Sequence, residues 1–316
     1  MSDRTLIYRE TGHVVFDAAG TPATFFARAS ISLELAEETA ELPTLLHGVI
    51  DTIPIGRMAK LKFTPLEFSA GAASALFPHQ SIDLGGSIFG STDKTLDVHT
   101  TTGKRVRMSC VAVYKEPAIN GDISKTVFDE VEWWGILPIG GDPNALASFI
   151  NETTVSYPGA SGFDRTKAIT PAWVTGWGAS PFDAIDLSKD GWKLTTKSSF
   201  AEEDKVMGKG TINIALKDYS LEVTFTPMNV SRAQVMARMG MAVAIGGRKS
   251  SVASDFIATG SGIYIAARNM FISKADPFQF DSDKRTTGAI TLGSTKSITG
   301  GVRDQMLYLG EAAPES

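Results

Sequence analysis

Residues His47–Pro65 read HGVIDTIPIGRMAKLKFTP, and residues Lys209–Pro227 read KGTINIALKDYSLEVTFTP. The two stretches align without a gap: Gly48 meets Gly210, Ile50 meets Ile212, and Phe63-Thr64-Pro65 meets Phe225-Thr226-Pro227. Polarity alternates in both. Ala59, Leu61 and Phe63 oppose Lys60 and Lys62, while Leu221, Val223 and Phe225 oppose Glu222, Thr224 and Thr226. A period of two places each set on its own face of a strand. Both stretches therefore read as strands with one apolar face, and their likeness reads as a repeat.

Flanking blocks extend the repeat in order. Upstream, Ala36-Glu37-Glu38 resembles Ala201-Glu202-Glu203, and Phe16-Asp17-Ala18 resembles Phe182-Asp183-Ala184. Downstream, Gly103–Lys115 aligns with Gly262–Lys274, and Pro117 and Pro277 follow. Collinear blocks predict a tandem duplication. The 316 residues fit two domains, at roughly 150 residues each. The expected units are 1–138 and 169–316. The segment 139–168 holds IGGDPN and YPGASG, whose clustered Gly and Pro mark a connector.

Strand patterns dominate each unit: Ala29–Leu35 alternates, and Arg105–Val113 and Ile263–Ile272 are rich in β-branched and apolar residues. Lys125–Leu137 and Lys284–Leu292 read as the strands that close each copy. A helix is expected after each Phe-Thr-Pro, over 67–77 and over Ser231–Gly240, the second with a Ser231 cap and a Gly240 stop. Each copy is thus expected to be a mainly β (α+β) domain with one short helix. Two acidic segments, Ala36–Leu46 and Ala201–Met207, read as exposed loops. Their acids Glu37, Glu38, Glu41, Glu202, Glu203 and Asp204 are candidates for contacts between subunits, or else a solvated hairpin tip.

Composition excludes several classes. Apolar residues make up 43% and charged residues 21%, values that argue against disorder. A net charge of −5 argues against tight non-specific nucleic-acid binding. The opening residues lack a signal pattern, and no apolar run approaches the ~20 residues that span a bilayer, so synthesis in the cytoplasm is expected. The single cysteine, Cys110, lies in an apolar run and reads as a buried hydrophobe. The four histidines, His13, His47, His79 and His99, show no metal-ligand spacing. Gly246-Gly247-Arg248-Lys249-Ser250 lacks the spacing of a phosphate loop. Trp133, Trp134, Trp173, Trp177 and Trp192 read as core or interface anchors. No catalytic, cofactor-binding or metal-binding residue is expected, and the chain does not read as an enzyme.

The run Thr5–Leu35, TLIYRETGHVVFDAAGTPATFFARASISLEL, resembles the opening of phage tail tube proteins, as does the Gly-x-Ile…Phe-Thr-Pro strand. The runs Ala75–Pro117 and Ile169–Leu194 resemble the same family. The resemblance implies tail-tube-like β-sandwich domains that form barrel-lined rings, with hairpin loops reaching the next ring. A fused pair resembles the siphophage tubes in which three two-domain chains make a pseudo-sixfold ring. The implied partners are further copies of the chain and the tail's terminator, tape measure and hub proteins, with DNA passing through the lumen unbound and no membrane insertion. The implied location is the virion tail, after assembly in the host bacterial cytoplasm. A trimeric hub or distal tail protein, and a carbohydrate-binding β domain, are the alternatives.

Overall fold

The alternation around the two Phe-Thr-Pro segments builds the longest hairpins of a mainly β protein. The computed structural model describes residues 6–8, 12–17, 20, 22–28, 30–44, 48–66, 70–90, 93–100, 103–122, 127–137, 146–151, 174–177, 187–206, 210–227, 245–260, 262–276, 279–280, 285–286, 288–299 and 302–314. Among these residues are three antiparallel sheets, one of them a curled half-barrel, and one short α-helix.

The first half carries β1 (Leu6–Tyr8), β2 (Gly12–Phe16), β3 (Ala23–Phe26), β4 (Ile31–Thr44), β5 (Gly48–Phe63), helix α1 (Ala70–Leu76), β6 (Leu96–Thr100), β7 (Lys104–Met108), β8 (Val111–Lys115), β9 (Ile119–Asn120), β10 (Val131–Ile136) and β11 (Ala147–Asn151). The second carries β12 (Val174–Trp177), β13 (Leu187–Val206), β14 (Gly210–Pro227), β15 (Ser254–Gly260), β16 (Ile263–Ala275), β17 (Gln279–Phe280), β18 (Arg285–Thr286), β19 (Ile290–Ser294), β20 (Ile298–Thr299), β21 (Val302–Arg303) and β22 (Leu307–Gly310). One sheet runs β1-β4-β5-β10-β8 and another β11-β7-β6-β2-β3. The third runs β12-β15-β16-β19-β14-β13-β9, with β22 also on β16. Two small ribbons, β17-β18 and β20-β21, complete the set.

The pairings of the first half recur in the second. The order β4-β5-β10-β8 has its counterpart in β13-β14-β19-β16, and β2-β6-β7-β11 in β12-β15-β16-β22. Registers recur as well. Phe63 faces Val131 and Leu61 faces Trp133, as Phe225 faces Ile290 and Val223 faces Leu292. Trp133 in turn faces Val113, as Leu292 faces Ile272. Met108 lies between Leu96 and Ala147, as Ala267 lies between Phe256 and Leu307. Aligned residues also share an uncommon backbone. Gly103 and Gly262 have φ of 79° and 65°, and Cys110 and Asn269 have φ of 48° and 54°.

One divergence shapes the two halves. The expected single strand over Arg105–Val113 breaks at Ser109–Cys110 into β7 and β8, which join different sheets. β16 instead runs unbroken through Asn269, so the second half is one curled sheet. The expected apolar faces are buried: Ala59, Leu61, Phe63, Leu221, Val223 and Phe225 all lie in the core, which is contiguous across both halves. Each of the buried Leu, Val and Phe side chains contributes about 1.5–3 kcal/mol on burial.

Other expectations change. Ala36–Thr44 and Ala201–Val206 are paired strand and not loop, because the long hairpins continue past their buried roots. β11 falls inside the expected connector 139–168, yet it pairs with β7 as the outer strand of the first half. The place of Phe16 is taken in the second half by Trp177, which faces Phe256 as Phe16 faces Leu96. Residues 182–184 lie outside the described residues. The closing strands are shorter than their expected runs, at Val131–Ile136 and Ile290–Ser294. Helix α1 lies within the expected 67–77 and buries Ala73 and Leu76. The helix expected over Ser231–Gly240 lies outside the described residues.

Candidate assembly surface

Both long hairpins carry a β-bulge at the same level. In the first, Glu38 faces Gly56 and Thr39 faces Pro54, leaving Ile55 as the extra residue. In the second, Ser199 faces Asp218 and Phe200 faces Leu216, leaving Lys217. In the gapless alignment Ile55 meets Lys217. A bulge bends and twists a hairpin and so re-aims everything beyond it.

Beyond the bulge the two hairpins differ in environment. On the first, Val49, Ile50, Ile53 and Leu42 are 50%, 60%, 45% and 41% exposed. On the second, Ile214, Ala215 and Leu216 are buried. The cover is the first half's own segment Gly85–Ile88. The Gly85 N–H donates to the Leu216 carbonyl at 2.7 Å, the Leu216 N–H to Gly86 at 3.0 Å, and the Ile88 N–H to Ile214 at 3.0 Å. The Ser87 hydroxyl donates to the Asn213 side-chain carbonyl. The first hairpin is thus an exposed arm, and the second is the same kind of arm docked. Isolated exposed apolar residues are ordinary, but a contiguous apolar patch marks an interaction site.

The predicted contact acids lie on these arms. Glu37 pairs with Arg57 across the hairpin at 3.1 Å. Glu38 and Glu41 are exposed, and Glu41 faces Thr52. Glu202 faces Ile214, Glu203 faces Asn213, and Asp204 follows on β13, with their side chains outside the described residues. Counted from the bulge, Glu41 stands in the place of Glu202, whereas Glu37 and Glu38 stand in the places of Ser198 and Ser199. The Ala-Glu-Glu likeness therefore joins positions that differ in the fold. The apolar residues Leu42, Val49, Ile50 and Ile53 were not singled out by sequence as contact residues, and Ile50 is the extra residue of a second bulge, between the pairs Leu42–Asp51 and Pro43–Val49.

Groups with chemical potential are built into the core. The His79 N–H donates to Glu116 at 2.9 Å, and its Nε2 lies 2.7 Å from the Val113 carbonyl. A carbonyl can only accept, so Nε2 carries hydrogen, and Nδ1 meets the Ser198 hydroxyl at 2.9 Å. His79 and Glu116 have wholly buried side chains, and Ser198 belongs to the second half, so this cluster ties the halves together. Burial, a hydrogen bond to Asp93 and that residue's charge push the Cys110 thiol up to about 12, which removes the thiolate that nucleophilic chemistry needs. Trp133, Trp177 and Trp192 are buried, and Trp134 stacks on Tyr114 with centroids 3.5 Å apart. Trp173 and His47 lie outside the described residues. Among the described residues there is no group of three His, Cys, Asp or Glu placed to hold a metal ion.

Compared with known proteins, the chain matches no protein-family model and no curated protein.

Proposed function

We propose that this chain is a structural subunit of a phage tail tube. Each chain supplies two tandem tail-tube-like β domains, three chains make a pseudo-sixfold ring, and rings stack around a channel for DNA. The observation that carries this reading is the recurrence of one strand order and register in both halves. Like domains joined head to tail close into rings, and stacked rings form a filament. The curled half-barrel sheet supports the reading, since closure of such sheets around a ring removes strand edges that invite aggregation.

On this reading Glu37, Glu38, Glu41, Glu202, Glu203 and Asp204 serve contacts between rings, carried on hairpin arms and not on open loops. The acidic balance of −5 suits a conduit that must not hold its phosphate cargo. The chain acts through geometry, without turnover or cofactor, in the virion tail, alongside terminator, tape measure and hub proteins. Negative-stain images of the purified full-length protein at high concentration are expected to show rings with a central hole and short stacked tubes. A protein that stays monomeric at every concentration, and is absent from tail particles, would overturn the reading.

A further inference from the structure

The docked arm meets a short loop that the sequence carries twice. Leu84-Gly85-Gly86-Ser87 receives the second hairpin within the chain. Its counterpart is Ile245-Gly246-Gly247-Arg248, which precedes β15 as the first loop precedes β6. Gly85 and Gly246 share a left-handed backbone, with φ of 87° and 88°, which glycine adopts without steric cost. The second loop is exposed over residues 245–250, with Ile245 at 109%. One contact thus has two sides, arm and loop. The second arm and the first loop meet inside the chain, whereas the described residues of the first arm's outer part and of the second loop are exposed.

We infer that the first arm of one chain docks on the Ile245–Arg248 loop of a second copy, as the second arm docks on Leu84–Ser87 within one chain. The alignment carries the details across. Asp51 stands where Asn213 stands, and Arg248 stands where Ser87 stands. The internal hydrogen bond between Ser87 and Asn213 becomes an ion pair between Asp51 and Arg248. Opposite charges at matched positions fix register and partner choice. Ile53, 45% exposed, stands where the buried Ala215 meets Ser87, so the same docking would cover it. The Gly246 N–H would donate to the Pro54 carbonyl, and the Lys249 N–H to Thr52. The third internal bond has no counterpart, because Pro54 lacks the N–H that Leu216 supplies.

The contact is head to tail, with one exposed arm and one exposed loop per chain, so it continues until a ring closes or a filament grows. It rests on the tail-tube reading only for the number of chains in the ring. The test is sedimentation velocity of the full-length protein over a concentration series. The wild type is compared with Asp51→Arg, Arg248→Asp and the double reversal, with heat melts to check folding. The wild type is expected to associate, each single variant to associate about tenfold more weakly or worse, and the double reversal to recover. If a reversal disturbs folding, Asp51→Asn and Arg248→Gln remove the charges more gently and are expected to weaken association in the same direction. Wild-type protein that stays monomeric, single variants that associate like wild type, or a double reversal that does not recover would each overturn the contact. Electron microscopy separates the two readings. Tubes formed equally by wild type and single variants would sink the contact and keep the tube, whereas rings that need the pair but never stack would keep the contact and sink the tube.

Discussion

At the scale of single residues, Cys110 turns the corner between β7 and β8 at φ 48°, and Asn269 holds the same conformation at φ 54°. The left-handed region costs a residue with a side chain about 1–2 kcal/mol, and asparagine reaches it more readily than most. Cysteine carries no turn signal, so the corner that splits the first half into two sheets is invisible in the sequence. Its burial was legible, because it lies in an apolar run. That burial, with Asp93 beside it, raises the thiol from 9.0 to about 12. A raised pKa contributes stability that is fully present below pH 9.0 and is lost as pH rises toward 12, because the unfolded chain ionises first. Urea midpoints are therefore expected to fall more between pH 8 and pH 10 in the wild type than in Cys110→Ala. Equal falls in the two proteins would refute the assignment.

At the scale of elements, the paired strands around Phe-Thr-Pro were legible because each keeps one buried face, and that face fixes register. The arms were not. Beyond the bulge both faces of the first hairpin meet solvent, so no alternation marks Ala36–Thr44 as strand, and its charges imitate a loop. The acidic blocks matched by composition, whereas the fold counts from the bulge and pairs Glu41 with Glu202. β11 was hidden among the Gly and Pro of its neighbours. The seam between β9 and β13 depends on a close approach that only structure reveals. Gly121 donates to the Trp192 carbonyl at 2.7 Å, and a Cβ on Gly121 would fall 2.0 Å from the Trp192 indole nitrogen. Gly121→Ala is expected to force Trp192 out of place and cost about 2–3 kcal/mol, read as a lower urea midpoint. An unchanged midpoint would show that the seam yields freely.

At the scale of the whole molecule, the two halves share one core and several ties. His79 reaches Ser198, Gln80 accepts the Leu307 N–H at 3.0 Å, β9 pairs with β13, and the second arm lies on Gly85–Ile88. Calorimetry of dilute protein is expected to show one cooperative transition with matching calorimetric and van't Hoff enthalpies. Two resolved transitions would mean that the halves unfold independently. The likeness of the two long hairpins was readable from sequence. The way the two halves lock was not, since the locking loop is two glycines between unremarkable neighbours. Pro54 gives this plan a mechanical consequence. In the proposed assembly every arm-to-loop contact between chains has one backbone hydrogen bond fewer than the arm-to-loop contact within a chain. Under tension the polymer would part at chain boundaries, every second joint, and release folded monomers ready to rejoin.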